Sequence, residues 1–361
     1  MNIGLTRLAN QRISEQPFGE PAAVVAWMGA MQAQDYAGAL WSIGLRTAQA
    51  TTQAVEQALA ECRIVRTWPM RGTLHLVAAA DVRWLLALLT PRQIAQSAGR
   101  YRQLALDDAA FAQSQAIFAQ ELQGRQACTR EELYVALEQG GVSPTGQRGY
   151  YMLVRAAQDG LICFGAMRGK QQTFVLLDEW VSPTEPLARD EALAELARRY
   201  FTSHGPATVQ DLARWAGLTL TDAKRGLAGI GDGLMQETVA DQAYWLPHNG
   251  SSAPTPSAPV YLLPGFDEFV LGYGDRSAVL DPAYAQRICP GGNGVFQPTV
   301  VADGAIKATW KRTLKKRQVN VEWEPFRAFT AREEEALVLA AQRYGEFLEM
   351  PVVTPRERLP K

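Results

Sequence analysis

The stretch TVQDLARWAGLTLTDAKRGLAGIGDGLMQETVADQAYWL, residues 208–246, decides the reading of the fold. Thr208 offers a hydroxyl cap for a helix over 209–215, and Asp211, three residues on, is its reciprocal partner. Gly217 ends that helix as a C-cap glycine does. Thr221 and Asp222 open a second short helix through Leu227. Residues 234–239 and 243–246 read as two strands around a turn at 240–242. An apolar-periodic helix over 187–201 precedes them. Helix, helix-turn-helix and small hairpin together make the winged-helix pattern.

Working outward, the same order recurs twice. From about Phe111 to Asp178, Thr129 and Glu132 form a capping box, Gly140-Gly141 breaks the chain and a helix covers 149–158. Strands at 161–164 and 173–177 flank a wing carrying Arg168 and Lys170. From about Leu5 to Val77, helices are expected at 5–13, 21–31, 36–45 and 52–60, and strands at 63–67 and 73–77. A helical connector follows at 80–106, with Pro91 at the first turn of its second part. A Pro- and Ser-rich linker spans 247–259. Beyond it lie β-like runs at 260–263, 269–271, 295–301, 305–310 and 319–323, with a hairpin signal at Asp303-Gly304. A helix at 331–348 closes them. The expected fold is α+β: three tandem winged-helix units and a small C-terminal β-barrel-like domain. The boundaries are 1–107, 108–182, 183–247, a linker at 248–259, the barrel at 260–350 and a tail at 351–361.

Composition narrows the function. The chain has 361 residues, 36 Lys plus Arg against 37 Asp plus Glu, and 47% hydrophobic residues. The balance of −1 excludes a polyanion-coating chain but leaves room for a local basic face. Cys62, Cys128, Cys163 and Cys289 have no CxxC spacing and read as reduced thiols of a cytoplasmic protein. His75, His204 and His248 lie far apart, so no metal site is expected. No run reaches the roughly 18 apolar residues of a membrane span. Phosphate-loop, dinucleotide-fingerprint, GxSxG and kinase patterns are absent, and no cofactor is implied.

Three segments carry candidate chemistry. Gln32 falls four residues after Met28 and seven after Val25, extending an apolar helical stripe with an amide that needs partners. The bland alternative is a satisfied core glutamine, a solvent-facing Gln34 and Asp35 as N-cap of the next helix. Arg71, beside Gly72 at a hairpin tip, suits a phosphate or base edge. His75, in the strand that follows, suits a structural role better than catalysis. The run 307–317 holds six basic residues in eleven, no acid and an interleaved Trp310. On a hairpin its lysines contact phosphates and Trp310 stacks or wedges. Gln147, Arg148, Tyr150 and Tyr151 offer a weaker face to nucleic acid. Asp267-Glu268 is a lone acid pair without a partner motif.

Four blocks then resemble one family in its own order: MQAQDYAGALWSIGLR (31–46), RTWPMRGTLHLV (66–77), LLPGFDEFVLGYGDR (262–276) and FQPTVVADGAIKATWKR (296–312). They resemble the winged-helix DNA glycosylases of the AlkZ and YcaQ type, over nearly the whole chain. The resemblance implies a monofunctional, monomeric enzyme that excises N-alkylated purines from duplex DNA, including bulky N7-alkylguanine and interstrand-crosslink adducts. Gln32-Ala33-Gln34 matches the Gln–aliphatic–Gln motif of the AlkZ branch, so Gln32 and Gln34 are the expected catalytic residues. DNA contacts are expected from Arg71, His75, Arg148, Lys311, Arg312, Lys315 and Lys316. The competing readings are a non-enzymatic winged-helix regulator and a protein-binding scaffold.

Overall fold

The computed structural model describes residues 1–15, 17–248 and 260–355. Several helices lie where the sequence puts them. Tyr36–Leu45, Thr52–Ala60 and Ala331–Leu348 match residue for residue, the last two opened by the Thr51 and Thr330 hydroxyls. The capping boxes at Thr129 and Thr208 are both formed, and Gly217 is left-handed at φ 72°.

Other boundaries move for identifiable reasons. The helix expected over 21–31 is Pro21–Met28, because Gly29 turns the chain at φ 77°. Gln32 therefore sits on a strand and not on the helical stripe. The short helix expected from Thr221 is Leu220–Gly229, capped by Thr219. The connector is one helix, Val82–Gln103, with Pro91 inside it. Just ahead of the proline, the Thr90 hydroxyl lies 2.8 Å from the Leu86 carbonyl and 3.0 Å from that of Gln158.

The first two helix-and-hairpin groups share one sheet. β1 (Met31–Gln32), β2 (Ile64–Met70), β3 (Thr73–Ala78), β4 (Cys128–Thr129), β5 (Ile162–Phe164) and β6 (Thr173–Leu176) are ordered β1-β3-β2-β5-β6-β4. The two hairpins meet edge to edge where Arg66 of β2 pairs Phe164 of β5. Neither leaves a long free edge at that junction. The hairpin of β7 (Met235–Val239) and β8 (Gln242–Leu246) stands apart as a two-stranded sheet.

The C-terminal strands β9 (Val260–Leu263), β10 (Thr299–Ala302), β11 (Ala305–Leu314), β12 (Val319–Pro325) and β13 (Val352–Val353) are ordered β13-β12-β11-β10-β9. β9 and β13 are its two edges, so the β-barrel-like domain expected is a curled sheet left open between them. The residues at 352–353, expected as tail, pair in parallel with β12. The run at 269–271, expected as a strand, is the single helical turn Glu268–Leu271, because the Asp267 carboxylate accepts the Phe269 N–H at 2.9 Å and starts it. The Asp303-Gly304 hairpin turn is formed, with φ of 50° and 77°. It meets the first helix, Ile3–Asn10, backbone to backbone: a Cβ on Gly4 would stand 2.0 Å from the Gly304 carbonyl oxygen. Trp41, Trp310 and Tyr344 pack ring on ring between this sheet and the helix Ala331–Leu348. The expected linker at 248–259 lies, beyond His248, outside the described residues. Among the described residues no helix is long and apolar enough to cross a membrane.

Candidate active site

The Gln32-Ala33-Gln34-Asp35 segment runs from β1 into the helix Tyr36–Leu45, and its backbone is held at several points. Gln32 pairs His75 in register. The Gln32 N–H donates to Glu268 Oε1 at 3.0 Å, and the Ala33 N–H to the Leu74 carbonyl at 2.7 Å. The Ala33 carbonyl accepts Arg66 Nη2 at 2.8 Å. The Gln34 N–H donates to Gln32 Oε1 at 3.1 Å. The Gln32 side-chain oxygen is thus spent on the loop itself. Gln32 is 9% exposed, whereas Gln34 and Asp35 are exposed. Asp35 stands at the N-cap position without capping. Its carboxylate instead lies 3.7 Å from Arg312 Nη2.

Behind β1 the polar groups are buried and pointed at it. Glu268 Oε2 accepts the Trp215 indole N–H at 2.9 Å, and His204 Nε2 is 3.6 Å away. Burial raises the Glu268 carboxyl most, but the His204 imidazole, the Arg71 charge and the Gln32 N–H outweigh it and hold it down at about 2. His75 is fully buried, and burial with the adjacent Arg71 charge pushes it down to about 3. The ring is therefore neutral. Its Nδ1 lies 2.9 Å from the Thr73 carbonyl and donates there, leaving Nε2 to accept Arg71 Nη2 at 3.1 Å. Beside the loop opens a cleft of about 340 Å³, lined by Tyr36, Glu56, Arg66, Phe164 and Met167 among others. The Arg66 guanidinium stands over both the Tyr36 and Phe164 rings, and burial lowers its pKa to about 10.

The basic run of 307–317 lies on β11 and the turn after it. Lys311 pairs with Glu322 at 3.1 Å, Arg312 donates to the Tyr344 hydroxyl at 2.9 Å, and Lys315 and Lys316 are exposed. Through Arg312 and Asp35 this strand meets the glutamine loop, so residues nearly 280 positions apart form one polar face.

Residues 25–347 match the family described as DNA glycosylase AlkZ-like. The chain belongs to the AlkZ-like DNA glycosylases. A relative described as an interstrand DNA cross-link repair glycosylase, from Streptomyces sahachiroi, is 27% identical over 332 residues, 83% of this chain and 85% of its own. The solved structure of Streptomyces sahachiroi DNA glycosylase AlkZ shares the fold, with a TM-score of 0.75 at 22% identity over 98% of both chains. As an AlkZ-like glycosylase the chain is a hydrolase of N-glycosidic bonds. The regulator and scaffold readings are set aside by that membership.

The AlkZ-like chain uses several expected contact residues differently. His75 has no surface to offer DNA and serves as the acceptor that orients Arg71. Arg71 is half-buried, its stem packed toward Gly217, where a Cβ would come within 3.4 Å of it. Arg148 spends its donors on the carbonyls of Leu104, Ala105 and Ser143, tying two helices together. Trp310 neither stacks nor wedges: it is 4% exposed and donates to the Leu263 carbonyl at 2.7 Å. Arg168 of the second wing pairs with Glu132 at 2.7 Å. The residues that sequence reasoning missed are Asp267 and Glu268. The available signal was two adjacent acids between Phe266 and Phe269-Val270, where burial demands partners.

Proposed function

We propose that this AlkZ-like enzyme hydrolyses the N-glycosidic bond of N7-alkylguanine in duplex DNA, bulky and interstrand-crosslinked adducts included, acting as a cytoplasmic monomer of three winged helices. N7 alkylation puts a positive charge on the base, which then leaves without a general acid. As the C1′–N9 bond breaks, its electron pair neutralises the departing guanine and the sugar becomes an oxocarbenium-like cation. Water adds to C1′ and gives its proton to solvent, leaving an abasic site.

Gln34 is the water-positioning group and Gln32 its partner. A carboxamide is no base, but its carbonyl orients a water and its NH₂ holds a sugar or phosphate oxygen. Positioning and fixed dipoles supply the acceleration. The chemistry thus departs from paired-carboxylate glycoside hydrolysis. The observation that carries this reading is the division of labour in the loop: Gln32 Oε1 clamps the Gln34 N–H, and the Gln34 side chain is left exposed. The 27% identical relative, named for cross-link repair, supports the bulky end of the substrate range. An open cleft suits such adducts better than a tight base-flipping pocket. The exposed Lys311, Lys315 and Lys316, with Arg312 beside them, hold phosphates.

The test is base release from a duplex carrying N7-methylguanine and unhooking of an N7-crosslinked duplex. Release from both is expected. A protein that binds the duplexes and releases neither lesion overturns the substrate assignment.

A further inference from the structure

Two buried carboxylates stand side by side in the turn that backs β1, and they are balanced differently. Asp267 is fully neutralised: Arg46 reaches both its oxygens at 2.9 Å and Ser42 donates at 2.6 Å. Glu268 is 1% exposed and has no such partner. Its contacts are two neutral donors, the Gln32 N–H and the Trp215 indole N–H. Among the described residues the one basic group within 4 Å of it is His204, whose pKa burial lowers. Arg71 attracts it from beyond contact distance. A buried carboxylate without a salt bridge of the Asp267 kind is uncommon, and such groups concentrate where the charge has work to do. This one is aimed at the backbone of Gln32.

We propose that Glu268 is a positioning residue of the glutamine pair that also supplies the negative field in which the sugar becomes a cation. The inference rests on the reading given under Proposed function. By accepting the Gln32 N–H it fixes the residue whose Oε1 holds Gln34. By staying ionised behind that loop, it holds a fixed negative charge close to where the C1′ cation forms. The field is preorganised and shielded from water, so its effect is felt in the transition state and not in binding the uncharged sugar. A glutamine site thereby gains the electrostatics of a carboxylate without exposing one.

The experiment compares binding of two duplexes, one carrying a protonated pyrrolidine in place of the abasic sugar and one carrying neutral tetrahydrofuran. Wild type is expected to favour the cationic duplex. Glu268→Gln, which keeps an acceptor for the Gln32 N–H but removes the charge, is expected to cut that preference by about tenfold or more. The single-turnover release rate falls with it, while tetrahydrofuran-duplex affinity is unchanged. Trp215→Phe, which keeps the charge, is expected to retain the preference. An undiminished preference in folded Glu268→Gln overturns the inference, whatever the rate does. So does a wild type that binds both duplexes equally, which needs no variant to fold. Wild-type release from the N7-methylguanine duplex is scored separately, so a wrong substrate and a wrong role for Glu268 give different results.

Discussion

Asp267 and Glu268 are consecutive in the chain and serve opposite ends of the site: Asp267 holds Arg46 through both oxygens, and Glu268 holds the Gln32 N–H at 3.0 Å. The turn Glu268–Leu271 that carries the second is started by the first. Arg46 also donates to the backbone and side-chain oxygens of Gln11, so the anchor reaches the first helical segment. The stability of the fold and the geometry of the glutamine loop are therefore linked through one dipeptide.

Removing Asp267 leaves a fully buried guanidinium without its counter-charge. Breaking such a pair costs about 3–5 kcal/mol. Asp267→Ala is expected to lose that much in urea unfolding and to lose base release even where it remains folded. A loss below about 1 kcal/mol contradicts the role given to the pair.

Acid should destabilise the protein well before its surface carboxylates titrate. An unfolded His75 takes a proton near pH 6.5, while the folded ring resists until about pH 3. The unfolded state thus binds more protons between those values. Stability is complete above pH 6.5 and falls as pH drops toward 3, by up to about 1.4 kcal/mol per pH unit from this residue. Glu268, depressed to about 2, adds a loss that starts near 4.5 and continues downward. Urea midpoints measured from pH 7 to 4 should decline in wild type and decline less in His75→Gln. A flat wild-type profile contradicts the buried neutral imidazole.

Trp310 and Lys316 sit in one basic run and should fail in opposite ways. Trp310→Ala opens the core between β11 and Tyr344, and should cost about 3–5 kcal/mol of stability without changing the salt dependence of DNA binding. Lys316→Ala should leave stability within about 0.5 kcal/mol and reduce the slope of log K against log salt by about 0.9. Denaturation and salt-titrated binding of both variants check this. A Trp310→Ala protein of normal stability that binds DNA weakly contradicts its burial.

What the sequence reveals follows the range of the interactions. Helices at Thr129 and Thr208 are legible because cap and partner lie three residues apart. The Asp303-Gly304 turn is legible because its φ values select those residue types. The Gln-Ala-Gln site is legible as a motif, but not its setting, since Gln32 and Glu268 are 236 residues apart. The run at 269–271 imitates a strand because three apolar residues carry no period, and only the Asp267 cap makes it a helical turn. The junction of β2 with β5 and the open edges of the C-terminal sheet are choices of tertiary pairing that no local pattern records. Trp310 misleads because the adjacent Lys311 points to the other face of the strand.

The central claim is that an exposed glutamine, braced by a buried one, positions the water. Single-turnover release of N7-methylguanine by wild type and by Gln34→Ala, with duplex affinity measured alongside, tests it most directly. The account predicts a fall of about 100-fold or more in rate with affinity held within about twofold. Release by Gln34→Ala at the wild-type rate contradicts it.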